Sequence, residues 1–182
     1  ADGDEKADKL AGDAMATLAA ATIIITVVCC LAMPWLMYLI NPGYASDPVK
    51  FKLAVLLTQI SMPYLPCMAI VAHLSGVLNA RGRFILSAAA PTLLNLVMLV
   101  AILPQKDARS AAVAASIGIL IAGVSQAALL TWGVRKSGAQ VHWRLPRMTP
   151  EIKALIWLAI PGALAASATQ VNIFISGILA SQ

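Results

Sequence analysis

Hydrophobic and polar positions along this chain come in blocks. Five runs carry no Asp, Glu, Lys or Arg: Ala14–Ser46, Leu53–Ala80, Phe84–Gln105, Ser110–Val134 and Ala154–Gln182, of 33, 28, 22, 25 and 29 residues. A hydrocarbon core about 30 Å thick needs roughly 20 apolar residues of helix, and each run reaches that length. The pattern predicts an all-α membrane protein with five transmembrane helices and excludes a water-soluble core. Turn signals lie between the runs. Asn41-Pro42-Gly43 ends the first span, Asn79-Ala80-Arg81-Gly82-Arg83 forms a tight turn after the second, and Leu103-Pro104 closes the third. Pro34 falls near the far end of the first span. Pro63 and Pro66 fall inside the second and predict a bend there, because proline removes a backbone donor. Thr149-Pro150-Glu151 reads as the start of the last helix, with Thr as N-cap and Pro in the first helical position.

Composition agrees with the pattern. The 182 residues are 60% hydrophobic and 12% charged, against about 25% charged in a soluble domain. The net charge of +5 does not indicate nucleic acid, because the basic residues sit in the connections, where orientation signals belong. With residue 1 inside, the inner segments hold Lys6, Lys9, Arg81, Arg83, Arg135, Lys136, Arg144, Arg147 and Lys153. The outer ones hold only Lys50, Lys52, Lys106 and Arg109. Lys and Arg favour the cytoplasm, so Ala1 is expected inside and Gln182 outside. Trp35, Tyr38 and Tyr44 then anchor the outer interface, and Trp132, His142, Trp143 and Trp157 bracket the inner loop. Ala1–Asp13 is acidic, the opposite of a signal-peptide n-region. An odd number of spans and a chain without an initial Met read as a piece of a longer protein. Cys29, Cys30 and Cys67 lie inside apolar runs without metal-ligand spacing. No metal and no cofactor is expected.

Polar residues inside the spans fall into stripes. Gln59, Pro66 and His73 are seven apart, and Ser87, Pro91 and Asn95 four apart. Ser116, Gly123 and Gln126 share a face, as do Ala165, Thr169, Asn172 and Ser176. Such stripes either line a polar cavity or bond helix to helix. Ala114, Gly118 and Ala122 are small residues at the spacing that lets membrane helices approach closely. His73 is the one titratable side chain inside a span; it is a functional candidate or a neutral imidazole bonded to a neighbour. Arg81 and Arg83 either touch lipid phosphates at an inner gate or anchor the topology. No catalytic constellation is present, so the chain reads as a non-enzyme.

The blocks His73–Phe84 (HLSGVLNARGRF) and Ala90–Asn95 (APTLLN), with Ala32–Trp35, Asn41–Tyr44 and Met62–Tyr64, carry a resemblance. Together they resemble the MurJ (MviN) family of bacterial lipid II flippases, within the multidrug/oligosaccharidyl-lipid/polysaccharide exporter superfamily. The resemblance covers essentially the whole chain and implies the third to seventh spans of a two-lobed, MATE-like transporter. It implies an N-lobe part at 14–134, after a cytoplasmic segment at 1–13. A basic cytoplasmic inter-lobe linker follows at 135–153, and the first C-lobe helix at 154–182. It also implies alternating-access movement of lipid II from the cytoplasmic to the periplasmic leaflet of the inner membrane, with membrane lipids and cell-wall synthesis proteins as further partners. The family's diphosphate-binding arginines fall mostly in spans outside this chain. Thr169-Gln170-Val171-Asn172 resembles a family block on a cavity-facing helix, which makes Thr169, Gln170, Asn172 and Ser176 cavity candidates. Several members carry an acidic residue where this chain has Ser176. Pro91 and Asn95 match a block expected to bend. Two other readings remain: an exporter of another undecaprenyl-linked oligosaccharide or of drugs, and a non-transporting scaffold for cell-wall enzymes.

Overall fold

Each of the five charge-free runs folds as helix. In chain order the elements are α1 (Asp2–Ile40), a 3-10 turn (Pro42–Ser46), α2 (Pro48–Ser61), α3 (Tyr64–Ala80), α4 (Phe84–Ile102), α5 (Ala108–Lys136) and α6 (Pro150–Ala180). The computed structural model describes residues 2–138, 141, 145–146 and 148–180, and much of α6 by its backbone alone. Among the described residues there is no strand. Four stretches are long and apolar enough to cross a bilayer: Lys6–Ile40, Pro48–Ala80, Phe84–Ile102 and Ala108–Lys136. The 31-residue α6 covers the fifth run as far as Ala180. The chain is a multi-pass, all-α membrane protein. Its outward surface is correspondingly apolar: Ile24, Leu31, Trp35, Val100 and Leu103 all stand exposed, as lipid-facing or helix-facing positions should.

Helix boundaries differ from expectation in two places. First, α1 starts at Asp2, well before Ala14, so the acidic segment is a helical extension of the first span. At 1.5 Å per residue α1 is about 58 Å long, nearly twice the thickness it must cross. Second, the span containing Pro63 is two helices. Met62 and Pro63 form a turn between α2 and α3, while Leu65 N–H closes on Met62 O at 2.9 Å. Pro66 lies in the first turn of α3, where a missing N–H breaks no intrahelical bond. α1, α4 and α6 each run on as a single helix past Pro34, Pro91 and Pro161, although each proline leaves one carbonyl of the preceding turn without its backbone donor.

The tightest packing lies at the end of the bundle that carries Arg81. Met15 of α1, Val71, Leu74 and Leu78 of α3, Ala90 of α4, and Leu130 and Val134 of α5 form one buried cluster. Leu78 and Leu130 are completely buried. Close approach depends on α5: its Gly118 faces Ala101, Gly123 faces Tyr64 and Cys67, and Gly133 faces Leu86. No residue of α2 is buried. The far end, around Tyr44, is looser and holds two open cavities of about 420 and 470 Å³ flanking α2.

Three caps fix helix starts. Asp47 accepts from Val49 and Lys50 N–H ahead of α2. Asp107 accepts from Ser110 N–H at 2.9 Å ahead of α5. Thr149 Oγ1 accepts from Ile152 N–H at 3.3 Å, with Pro150 in the first helical position, as the sequence predicts.

Candidate functional site

The turn after α3 is built from its backbone outward. Arg83 N–H donates to Leu78 O and Gly82 N–H to Asn79 O, the paired bonds of a Schellman cap. That cap needs a left-handed residue, and Gly82 supplies it at φ +70°. The Arg-Gly-Arg sequence is therefore first a turn. Its two arginines part company. Arg81 Nη2 donates to Asp8 Oδ1 of α1 at 2.6 Å, with both side chains largely covered. Arg83 is exposed. One turn further along α1, Ala11 O accepts a hydrogen bond from His73 Nε2 at 2.8 Å. A carbonyl can only accept, so Nε2 carries the proton. These two contacts hold the acidic extension of α1 against α3. Ser87 Oγ, at the start of α4, lies 2.6 Å from Asn79 Oδ1 and 2.8 Å from Phe84 O.

Glu151 stands at the head of α6. Its own backbone N–H, then the Thr149 hydroxyl, and the charge of Lys9 on α1 hold its carboxyl below the ordinary glutamate range. Ile152 beside it is buried, and α6 packs against α1.

Within the membrane the polar stripes of the second and fourth spans bond helix to helix. Gln59 Nε2 donates to Cys30 O of α1 at 2.8 Å, and Cys30 Sγ–H donates back to Gln59 O at 3.8 Å. Gln126 Nε2 of α5 donates to Ala90 O of α4 at 2.6 Å. Its Oε1 is buried without a partner among the described residues. Ser116 Oγ returns to Ala112 O of its own helix. Pro91 and Asn95 face outward from α4. On α6, Gln170 and Ser176 are exposed; the side chains of Thr169 and Asn172 lie outside those described, as do His142 and Trp143. No group of His, Cys, Asp or Glu able to hold a metal occurs among the described residues. The structure thus brings His73 and Arg81 together along α1.

Sequence reasoning missed the capping roles of Asp47 and Asp107 and the reciprocal Cys30–Gln59 pair. A signal for the pair exists: each residue lies four positions before a proline, Pro34 or Pro63.

The sequence family described as lipid II flippase MurJ matches residues 1–182. The chain is 39% identical, over its whole length, to a probable lipid II flippase MurJ of Rhizobium tropici. It is 35% identical, again over its whole length, to another of Rhizobium meliloti. A lipid II flippase MurJ of Burkholderia cenocepacia is 29% identical over 97% of the chain. The chain spans 35% of the length of each of these relatives.

Proposed function

Because the chain belongs to the lipid II flippase MurJ family, we propose that it forms part of a transporter of lipid II. The cargo, an undecaprenyl-diphosphate-linked disaccharide-peptide, moves from the cytoplasmic to the periplasmic leaflet of the bacterial inner membrane by alternating access. The observation that carries this reading is the family match along all 182 residues. The task is movement, so no covalent step is assigned to the chain. Residues 14–134 supply four helices of one lobe, 135–153 the cytoplasmic linker, and 154–182 the first helix of the second lobe. Residue 1 is cytoplasmic and residue 182 periplasmic, a placement supported by the excess of Lys and Arg on one side of the spans.

An amphiphile with a diphosphate head needs a water-filled path through the bilayer. Gln59, His73 and Gln126 are bonded to neighbouring helices, which favours α6 as the cavity-facing span. Thr169, Gln170, Asn172 and Ser176 are its hydrogen-bonding groups. At the turn after α3, Arg81 ties α1 in place through Asp8, and exposed Arg83 meets lipid phosphates. Pro91 and Asn95 mark where α4 bends.

The test is rescue. Cells depleted of their own lipid II flippase should resume growth when the full-length gene carrying this segment is expressed. A full-length protein that accumulates in the membrane and still fails to rescue overturns the proposal.

A further inference from the structure

Two prolines interrupt backbone bonding in neighbouring helices, and the structure joins the two interruptions. In a helix the carbonyl of residue i accepts from the N–H of residue i+4. Pro34 has no N–H, so it cannot serve Cys30 O; Pro63 likewise cannot serve Gln59 O. These are the two carbonyls of the reciprocal pair. Gln59 Nε2 donates to Cys30 O at 2.8 Å and Cys30 Sγ–H donates to Gln59 O at 3.8 Å. Each residue's side chain thus satisfies the carbonyl that the other helix's proline leaves open.

What lies on either side of the pair differs in packing. Toward Arg81 sits the buried cluster of Met15, Val71, Leu74, Leu78, Leu130 and Val134. Toward Tyr44 lie the end of α1, where Met37 is buried, the 3-10 turn, and α2, which has no buried residue and rests on the surface of α5. That hairpin is tied to itself: the Tyr38 and Phe51 rings stack with centroids 4.3 Å apart. Beside the pair, Pro34, Gln59, Val55 and Phe51 line the 420 Å³ cavity, which lies between the two arms of the hairpin.

We propose that Cys30 and Gln59 couple the Pro34 and Pro63 interruptions into one hinge. The hairpin from Pro34 to Met62 then swings as a unit on the packed end of the bundle during transport. Gln59 is a positioning residue: it touches no cargo and sets the angle at which two helices bend together. The part concerning transport rests on the flippase reading above; the hinge itself does not.

The test uses the full-length protein and one compensating substitution. Gln59→Leu removes the donor and leaves Cys30 O open, a loss of roughly tenfold in the folded-to-unfolded ratio. Adding Pro34→Ala supplies a new N–H to that same carbonyl while removing the interruption in α1. Three quantities are read: melting temperature, lipid II translocation, and the distance distribution between spin labels at Ser46→Cys and Lys106→Cys. The label background carries Cys30→Ser, which keeps a donor to Gln59 O, with every other native cysteine removed. Gln59→Leu alone should melt lower. The double variant should melt like wild type, show one narrow label distance where wild type shows a broad distribution, and translocate about tenfold more slowly. Recovery of translocation along with stability, or a label distribution unchanged from wild type, reduces Gln59 to interhelical glue and overturns the hinge. So does a Gln59→Leu protein as stable as wild type, or a double variant that fails to regain stability. If wild type moves no lipid II at all, the flippase reading falls, while melting and label distances still decide the hinge.

Discussion

Gly123 of α5 sits where a methyl group has no room. A Cβ built there would lie 2.6 Å from a ring carbon of Tyr64 and 3.0 Å from Cys67 Cβ, both on α3. A ring packed between helices does not yield as a side-chain tip does, so Gly123→Ala forces α3 and α5 apart. Overpacking of this kind costs about 1–3 kcal/mol. Gly76, mid-way along α3, is the control: a Cβ there meets nothing within 4 Å. Removing a glycine from a helix interior contributes roughly 0.5–1 kcal/mol. Thermal melts of the full-length protein should therefore place Gly123→Ala below wild type and Gly76→Ala at or above it; the reverse order would refute this account of the α3–α5 contact. Part of this was legible in the sequence. The Ala114, Gly118, Ala122 spacing marks a close-packing face, and Gly118 and Ala122 are both buried. Gly123 instead reads as a member of a polar stripe with Ser116 and Gln126. Its steric duty depends on Tyr64, some 60 positions away in sequence, which no spacing rule reaches.

At the scale of the element, charge-free runs locate helices well because hydrocarbon leaves the backbone no other economy. They locate helix ends poorly. The extension of α1 to Asp2 is invisible in hydropathy because polar contacts hold it: the ion pair of Asp8 with Arg81, and the hydrogen bond from His73 to Ala11 O. A bend at Pro63 was legible because proline acts locally; its sharpening into two helices, and the Cys30–Gln59 bond that answers it by joining α1 to α2, were not. Starts depend on caps, and one is open to titration. Asp107 is fully exposed, and its carboxyl is held below the ordinary aspartate value of 3.8, first by the Ser110 backbone N–H and then by the Ser110 hydroxyl. A carboxyl whose folded-state pKa is depressed stabilises at pH values above its unfolded one and loses that contribution as pH falls through the folded one. Asp107→Asn keeps an acceptor and removes the titration. The stability difference between wild type and Asp107→Asn should be constant from neutral pH down to about 5, and should shrink below about 4. A difference that stays constant through that lower range would show that the carboxylate does not cap α5 in solution.

At the scale of the whole molecule, the question is which surface of these helices meets water inside a bilayer. Most outward faces are apolar, and Gln59, His73 and Gln126 bond to neighbouring helices. α6 differs. It packs against α1 and buries Ile152 near its start, while Leu155, Trp157, Leu158 and Leu164 beyond it are exposed. Its backbone is helical from Pro150 to Ala180, so Ala165, Thr169, Asn172 and Ser176, at i, i+4, i+7 and i+11, fall on one face. Ile173 and Ile175 fall on others. If that face lines the transport cavity, single cysteines at Asn172 and Ser176 in the full-length protein should react with a membrane-impermeant thiol reagent. Cysteines at Ile173 and Ile175 should resist it, because a thiol facing lipid stays protonated and out of reach. Lipid II added before the reagent should slow labelling at the first pair and leave the second unchanged. Equal labelling at all four positions would remove α6 from the cavity and shift the search to outward-facing Asn95 on α4.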